Sequence, residues 1–256
     1  MDNKRIKKLL IDLSYPLFVT LLVLVIWQIA SLLLNVDLIL PSPLDAFKQL
    51  LDYLGEKDFW ISLGGTLLRS LISFAFSFII ALLFAVLSAV NTRAKKLISP
   101  FTAIIRLIPT MSVILLLIIW LSPSAAPIAV AIIVIFPTLY SAFYGAIDSV
   151  DKNLLMMSKV YGVSNKDIIK KLYLPNMAKS MFENTASGFS LNIKLVIAAE
   201  ALAQTMHSIG KLMQFAKINI EPTKLFALTL AAIIVGVFFE STIRYIGKIS
   251  IRWQND

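Results

Sequence analysis

The chain has no cysteine, a single histidine and few charges. Without cysteine it forms no disulfide, runs no thiol chemistry and builds no cysteine metal site, and its redox compartment stays open. The lone histidine, His207, cannot form a histidine cluster. His-Glu-x-x-His and Gly-x-Ser-x-Gly are both absent, which removes the common signatures of an intramembrane hydrolase. No Gly-x4-Gly-Lys-Ser/Thr occurs either, so the chain has no phosphate-binding loop of its own with which to hydrolyse ATP. Charged residues make up only 15% of the 256 positions, against 58% hydrophobic ones. With a mean hydropathy of +0.83, that much apolar surface cannot be hidden in a soluble domain. The composition is that of a polytopic membrane protein.

In chain order, a basic segment with Lys4, Arg5, Lys7 and Lys8 precedes an uncharged run from Leu17 to Leu34. No small-x-small cleavage site follows, so this reads as an uncleaved signal anchor, with Pro16 at the first turn of span one. Asn35 to Trp60 is polar and mildly acidic, with Asp37, Asp45, Asp52, Glu56 and Asp58. Leu63 to Val90 carries only Arg69 and is span two. A basic turn at Arg93, Lys95 and Lys96 leads to an uncharged stretch from Leu107 to Ile147. As one helix that stretch would measure about 60 Å, twice the bilayer core. Ser122 to Pro127 therefore divides it into spans three and four, and Pro137 is expected to kink the latter. Span five covers Thr185 to Ala203, and span six Leu225 to Ile243. The expected division is a basic N-terminus at 1–15, a transmembrane domain at 16–250 with a loop at 148–180, and a tail at 251–256.

The loop between spans four and five is the best-punctuated polar segment. Gly162 suits the left-handed residue that ends a short helix. Ser164 and Asp167 have the spacing of a capping box that starts another. Ile168, Ile169 and Leu172 then share one face, Lys166, Lys170 and Lys171 spread over the other, and Pro175 is expected to stop the helix.

Placement of positive charge orients the chain. The N-terminus, the turn after span two, the loop (Lys152, Lys159, Lys166, Lys170, Lys171, Lys179) and the tail (Arg244, Lys248, Arg252) hold sixteen basic residues on one side. Five lie on the other: Lys48, Lys57, Lys211, Lys217 and Lys224. The positive-inside rule then puts both termini and the loop in the cytoplasm, with six spans. The net charge of +9 is accounted for by topology and anionic lipid, without nucleic acid. Arg69, Arg106, Lys194 and Glu200 remain within or at the ends of spans, where buried charge is expensive. They read as span-end or pathway charges. Lys194 and Glu200, six residues apart, do not share a helical face.

Met156-Met157-Ser158, three residues, Gly162, nine residues, then Leu172-Tyr173-Leu174-Pro175 resembles the E-A-A-x3-G-x9-I-x-L-P signature of permease subunits of bacterial ABC importers. Further pieces resemble the nitrate/sulfonate/taurine-type branch of that family. They are Leu40-Pro41-Ser42-Pro43, Gly65-Thr66-Leu67-Leu68-Arg69, Arg106-Leu107-Ile108-Pro109, Ile119-Trp120-Leu121 and Ala199-Glu200-Ala201. Two departures stand out. The signature glutamate is Met156 and its alanines are Met157 and Ser158. The outer Gly-x-Gly-like segment reads only Ser208-Ile209-Gly210.

The resemblance implies an all-α, six-helix type I importer permease in the bacterial inner membrane. It implies no catalysis and no bound cofactor in this chain, with ATP and Mg on a separate ATPase dimer. Further implied partners are a second permease copy, an extracytoplasmic solute-binding protein and the lipid bilayer. The loop becomes the coupling segment: Leu155, Met156, Met157, Val160, Tyr161, Gly162, Ser164, Lys166, Asp167, Ile168, Lys170, Leu174 and Pro175. With the glutamate gone, docking is expected to rest on apolar contacts from Leu155, Val160, Tyr161 and Ile168. The implied cargo is a small solute, nitrate/sulfonate/taurine-like or thiamine-precursor/riboflavin-like. An ion-coupled carrier or channel is the alternative; it predicts inverted repeats and converging in-span charges.

Overall fold

The computed structural model describes residues 3–36 and 38–250. Asp37 and the tail 251–256, with Arg252, lie outside the described residues, as do the side chains of Lys4, Arg5, Lys7, Lys8, Lys159 and Lys179. Among the described residues every regular element is helical. Among the described residues four helices are long and apolar enough to cross a membrane: Lys57–Val90, Ala126–Asp148, Ser180–Ala203 and Pro222–Ser250. Two more expected spans take other forms. The first is the apolar stretch Phe18–Leu34, and the third is a helix pair bent by 93°.

The chain divides into two compact units, residues 1–57 with 215–231, and residues 58–214 with 232–256. In the first unit, α1 (Asn3–Leu34) begins well before Pro16, so the basic and apolar segments share one helix. The Trp27 indole N–H donates to the Pro41 carbonyl at 3.0 Å and the Ser31 hydroxyl to the Leu40 carbonyl at 3.1 Å. These bonds satisfy backbone acceptors just before α2 (Pro43–Leu54). Ser42 caps α2, its oxygen accepting from the Asp45 amide at 3.1 Å, with Pro43 in the first turn.

In the second unit, α3 (Lys57–Val90) turns a row of small residues inward. Ser62, Thr66, Ser70, Ser73, Ser77, Ala81, Ala85 and Ser88 are all buried, at spacings of three or four. In lipid, where apolar burial drives little, such a row allows close backbone approach and interhelical hydrogen bonds. Asn192 uses it, donating to the Ser70 carbonyl at 2.8 Å and accepting from the Ser73 hydroxyl at 3.1 Å. Ser88 and Tyr140 hydroxyls meet at 3.0 Å further along.

Span three differs from its expected form. The polar turn and the residues after it fold as α4 (Thr92–Leu107), and only α5 (Thr110–Trp120) continues along the span. Pro109 has no amide hydrogen to continue the helix, and Ile108 before it is extended, so the chain turns 93° there. Helix α6 (Ala126–Asp148) runs through Pro137 and packs on α5 around Ile114 and Val130, where Ala199 joins them.

Candidate functional site

The loop folds as two short helices around a tight turn. The first, α7 (Lys152–Val160), is capped by Asp151, whose carboxylate accepts from the Asn153 amide at 2.8 Å. It ends in a Schellman motif. The Val163 amide reaches the Ser158 carbonyl at 2.9 Å, and Gly162 sits at φ +69°, the left-handed region that is costly for a β-branched residue. The second, α8 (Asn165–Ile168), starts at the expected Ser164–Asp167 box. The Asp167 amide donates to Ser164 Oγ at 3.2 Å, and that hydroxyl donates to Asp167 Oδ2 at 2.8 Å. Lys171 Nζ lies 3.2 Å from Asp167 Oδ1. The Ser164 hydroxyl first, and Lys171 second, hold the Asp167 carboxyl below the usual carboxylate range.

The apolar residues of the loop sort differently from expectation. Met156 (67% exposed), Met157, Val160 (79%) and Tyr161 (78%) all face outward around the turn. Ile168 is buried and Leu155 half-buried, so of the four residues expected to carry apolar docking contacts Val160 and Tyr161 are the fully exposed pair. Ser158 is also buried, its hydroxyl donating to the Leu155 carbonyl at 2.9 Å.

Pro175 does not stop a helix. The segment Ile169–Tyr173 is a π-turn, in which the Leu174 amide bonds the Ile169 carbonyl five residues back. It runs directly into α9 (Leu174–Ala203), with Pro175 in that helix's first turn. A proline cannot donate to the preceding turn, and the wider π spacing absorbs the mismatch without breaking the path. Helical backbone therefore continues from Asn165 to Ala203. Lys170, Lys171, Leu174, Pro175, Ala178 and Asp167 line an open concavity of about 800 Å³ beside the turn. Lys166 is exposed next to it.

The four span charges fall into two groups. Glu200, fully buried near the end of α9, accepts from Arg69 Nε at 2.6 Å and from the Thr66 hydroxyl at 2.8 Å. The Gly210 amide, in the first turn of α10 (Ile209–Ile218), points at the same carboxylate at 3.4 Å. Arg69 also donates to the His207 carbonyl at 2.8 Å, and the Ile209 amide donates to Thr66 Oγ1 at 3.0 Å. Gln204 and His207, with φ of 50° and 49°, fold the connection back so that this is possible. Two in-span charges of opposite sign were the available signal for this pairing, which sequence reasoning missed. Arg106 and Lys194, by contrast, are exposed. Lys194 shares an outward face of α9 with Glu183, Ser187, Leu191 and Ala198, spaced by three and four residues. Beside it, in α11 (Pro222–Ser250), Glu240 accepts from Ser190 at 2.7 Å and from Arg244 at 2.8 Å.

Residues 77–248 match the family described as "Binding-protein-dependent transport system inner membrane component". The chain belongs to that family. Its members are non-catalytic permease subunits of ABC transporters. This permease is similar to the formylaminopyrimidine transport permease protein ThiX of Halalkalibacterium halodurans, 20% identical over 243 residues, which are 93% of this chain and 95% of the relative. It is also similar to the taurine transport system permease protein TauC of Escherichia coli, 21% identical over 197 residues, 74% of this chain and 71% of the relative. Among solved structures, the inward-facing MetNI methionine ABC transporter aligns with a TM-score of 0.62 at 18% identity, over 75% of this chain and 95% of that one. An amino acid ABC transporter aligns at 0.59 and 13% identity, over 75% and 93%. The permease shares their fold.

Proposed function

We propose that this permease is the translocation subunit of an ATP-driven importer and that Met156–Pro175 is where a separate ATPase grips it. The observation that carries the reading is the outward apolar cluster of Met156, Met157, Val160 and Tyr161, mounted on a capped helix with a closed C-terminus. A cluster of this kind, rich in methionine and aromatic surface, has the composition of a protein interface core. It supplies apolar contact where the family glutamate is missing. Backbone continuity from Asn165 to Ala203 makes the segment a lever, because displacement at the loop reaches a membrane span without crossing a flexible joint.

ATP and Mg then belong to the partner ATPase dimer, whose closure draws two such levers together and exchanges inward- and outward-facing states. One chain offers one lever, so the working pore holds two permease copies. A solute-binding protein delivers cargo on the opposite face. Both termini and the loop face the cytoplasm in this arrangement, in keeping with the distribution of lysine and arginine. The relatives' names, which give formylaminopyrimidine and taurine as cargo, support a small solute of one of those kinds. No observation favours an ion-coupled carrier.

A photoreactive side chain at Val160 or Tyr161 tests the reading in membranes containing the whole transporter. Crosslinking to the ATPase is expected from both positions and from neither Ile168 nor Leu155. Absence of ATPase adducts at Val160 and Tyr161, with efficient insertion, would overturn it.

A further inference from the structure

We infer that α4 lies in the plane of the bilayer and binds a surface of anionic phospholipid headgroups. The inference is independent of the coupling reading. Three observations converge on it.

The first is direction. The 93° turn at Ile108–Pro109 sets α4 across the axis of α5, which packs along α6. The second is depth. Helix α4 starts two residues after α3 ends, and Ser88 at that end touches Tyr140 of α6. From Thr66, at the Glu200 network, to Ser88 the helix rises about 33 Å, close to the ~30 Å hydrocarbon layer. The network and α4 thus sit one membrane thickness apart. The third is the pattern of faces. Thr102 is buried and Ala94, Ile98 and Ile105 are half-buried on one side. Leu97, Phe101 and Ile104 form an apolar stripe that is 74%, 58% and 62% exposed, at spacings of four and three.

Charge decides the occupant. Thr92–Leu107 carries Arg93, Lys95, Lys96 and Arg106 and no acidic residue. The Lys95 ammonium stands over the Tyr144 ring at 4.8 Å, while Arg93, Lys96 and Arg106 are exposed. An amphipathic helix with an apolar flank that begins at Arg93, and with Lys96 and Arg106 as the charges on the remaining exposed surface, matches the boundary between acyl chains and anionic headgroups. A soluble partner would leave the stripe's perpendicular setting at membrane depth without purpose.

The chain has no cysteine, so single substitutions report cleanly. Nitroxide labels at Leu97→Cys, Phe101→Cys, Ile104→Cys, Lys96→Cys and Arg106→Cys are read in nanodiscs of phosphatidylcholine with phosphatidylglycerol. Collision with lipid-soluble oxygen should dominate at 97, 101 and 104, and collision with a water-soluble nickel chelate at 96 and 106, with a roughly 3.6-residue period. In a second arm, a fluorophore at Ile104→Cys should be quenched more by brominated phosphatidylglycerol than by brominated phosphatidylcholine at equal fraction. Lys96→Gln or Arg106→Gln should each reduce that preference about fivefold. Nickel access at all five sites, shielding of 97 and 101 from both reagents by another protein surface, or equal quenching by the two lipids would each overturn the inference.

Discussion

Arg69 and Glu200 stand 131 residues apart in sequence and 2.6 Å apart in space, joining α3 to the end of α9. The carboxylate is fully buried and takes Thr66 and the α10 amides into the same network. These donors compensate its charge. That makes the pair a clasp on one end of the span that the proposed lever moves.

Removing one partner strands the other. Arg69→Met or Glu200→Leu is expected to destabilise the detergent-solubilised protein by about 3–5 kcal/mol. The double variant is expected to lose less than the sum, because neither charge is left alone. Thermal unfolding of the four proteins of the cycle measures this, and strict additivity would refute the clasp.

Steric closeness at the same place gives a second expectation. A Cβ on Gly210 would lie 2.6 Å from the Ala201 amide nitrogen and collide with the Ile197 carbonyl and Glu200 Cβ as well. Backbone cannot swing aside as a side-chain tip can. Gly210→Ala should therefore cost about 1–3 kcal/mol or more. Gly145→Ala, where nothing lies within 4 Å, should be neutral or mildly stabilising. Unfolding temperatures of the two variants decide the point.

The contrast between these features and the loop shows what a sequence can disclose. The Schellman turn at Gly162 and the Ser164–Asp167 box depend on residues within five positions of each other, so spacing alone revealed them. The long spans α3, α6, α9 and α11 were legible from length and apolarity. Pro175 and Pro109 were not, because one residue type has two structural outcomes. Pro175 falls in a first helical turn and is absorbed by a π-turn, whereas Pro109 ends a helix and bends the chain. Which outcome occurs depends on packing that local spacing does not encode. The Arg69–Glu200 pair is longer-ranged still, and only the presence of opposite charges in two apolar spans hinted at it. Ile168 shows the same limit: spacing marks its amphipathic face, but not that the side chain is buried in the folded chain.

Acid should loosen the start of the lever. The folded Asp167 carboxyl titrates below its unfolded value of about 3.9, so its contribution is fully present above that value and is lost as pH falls through the lower folded one. Hydrogen-exchange protection of the Asp167 and Ile168 amides, followed downward from neutral pH, should persist into the ordinary carboxylate range and then fall. Asp167→Asn should remove that acid limb while keeping the Ser164 cap. An identical acid profile in the variant would contradict the assignment.

The most direct test of force transmission is Gly162→Val. At φ +69° a β-branched residue costs about 1–2 kcal/mol and opens the turn without touching the spans. In vesicles holding the complete transporter, the stimulation of ATP hydrolysis by ligand-loaded binding protein is the quantity to measure, alongside the amount of permease inserted. Normal insertion with stimulation lost is the predicted result; normal insertion with stimulation unchanged would show that the loop is not the lever.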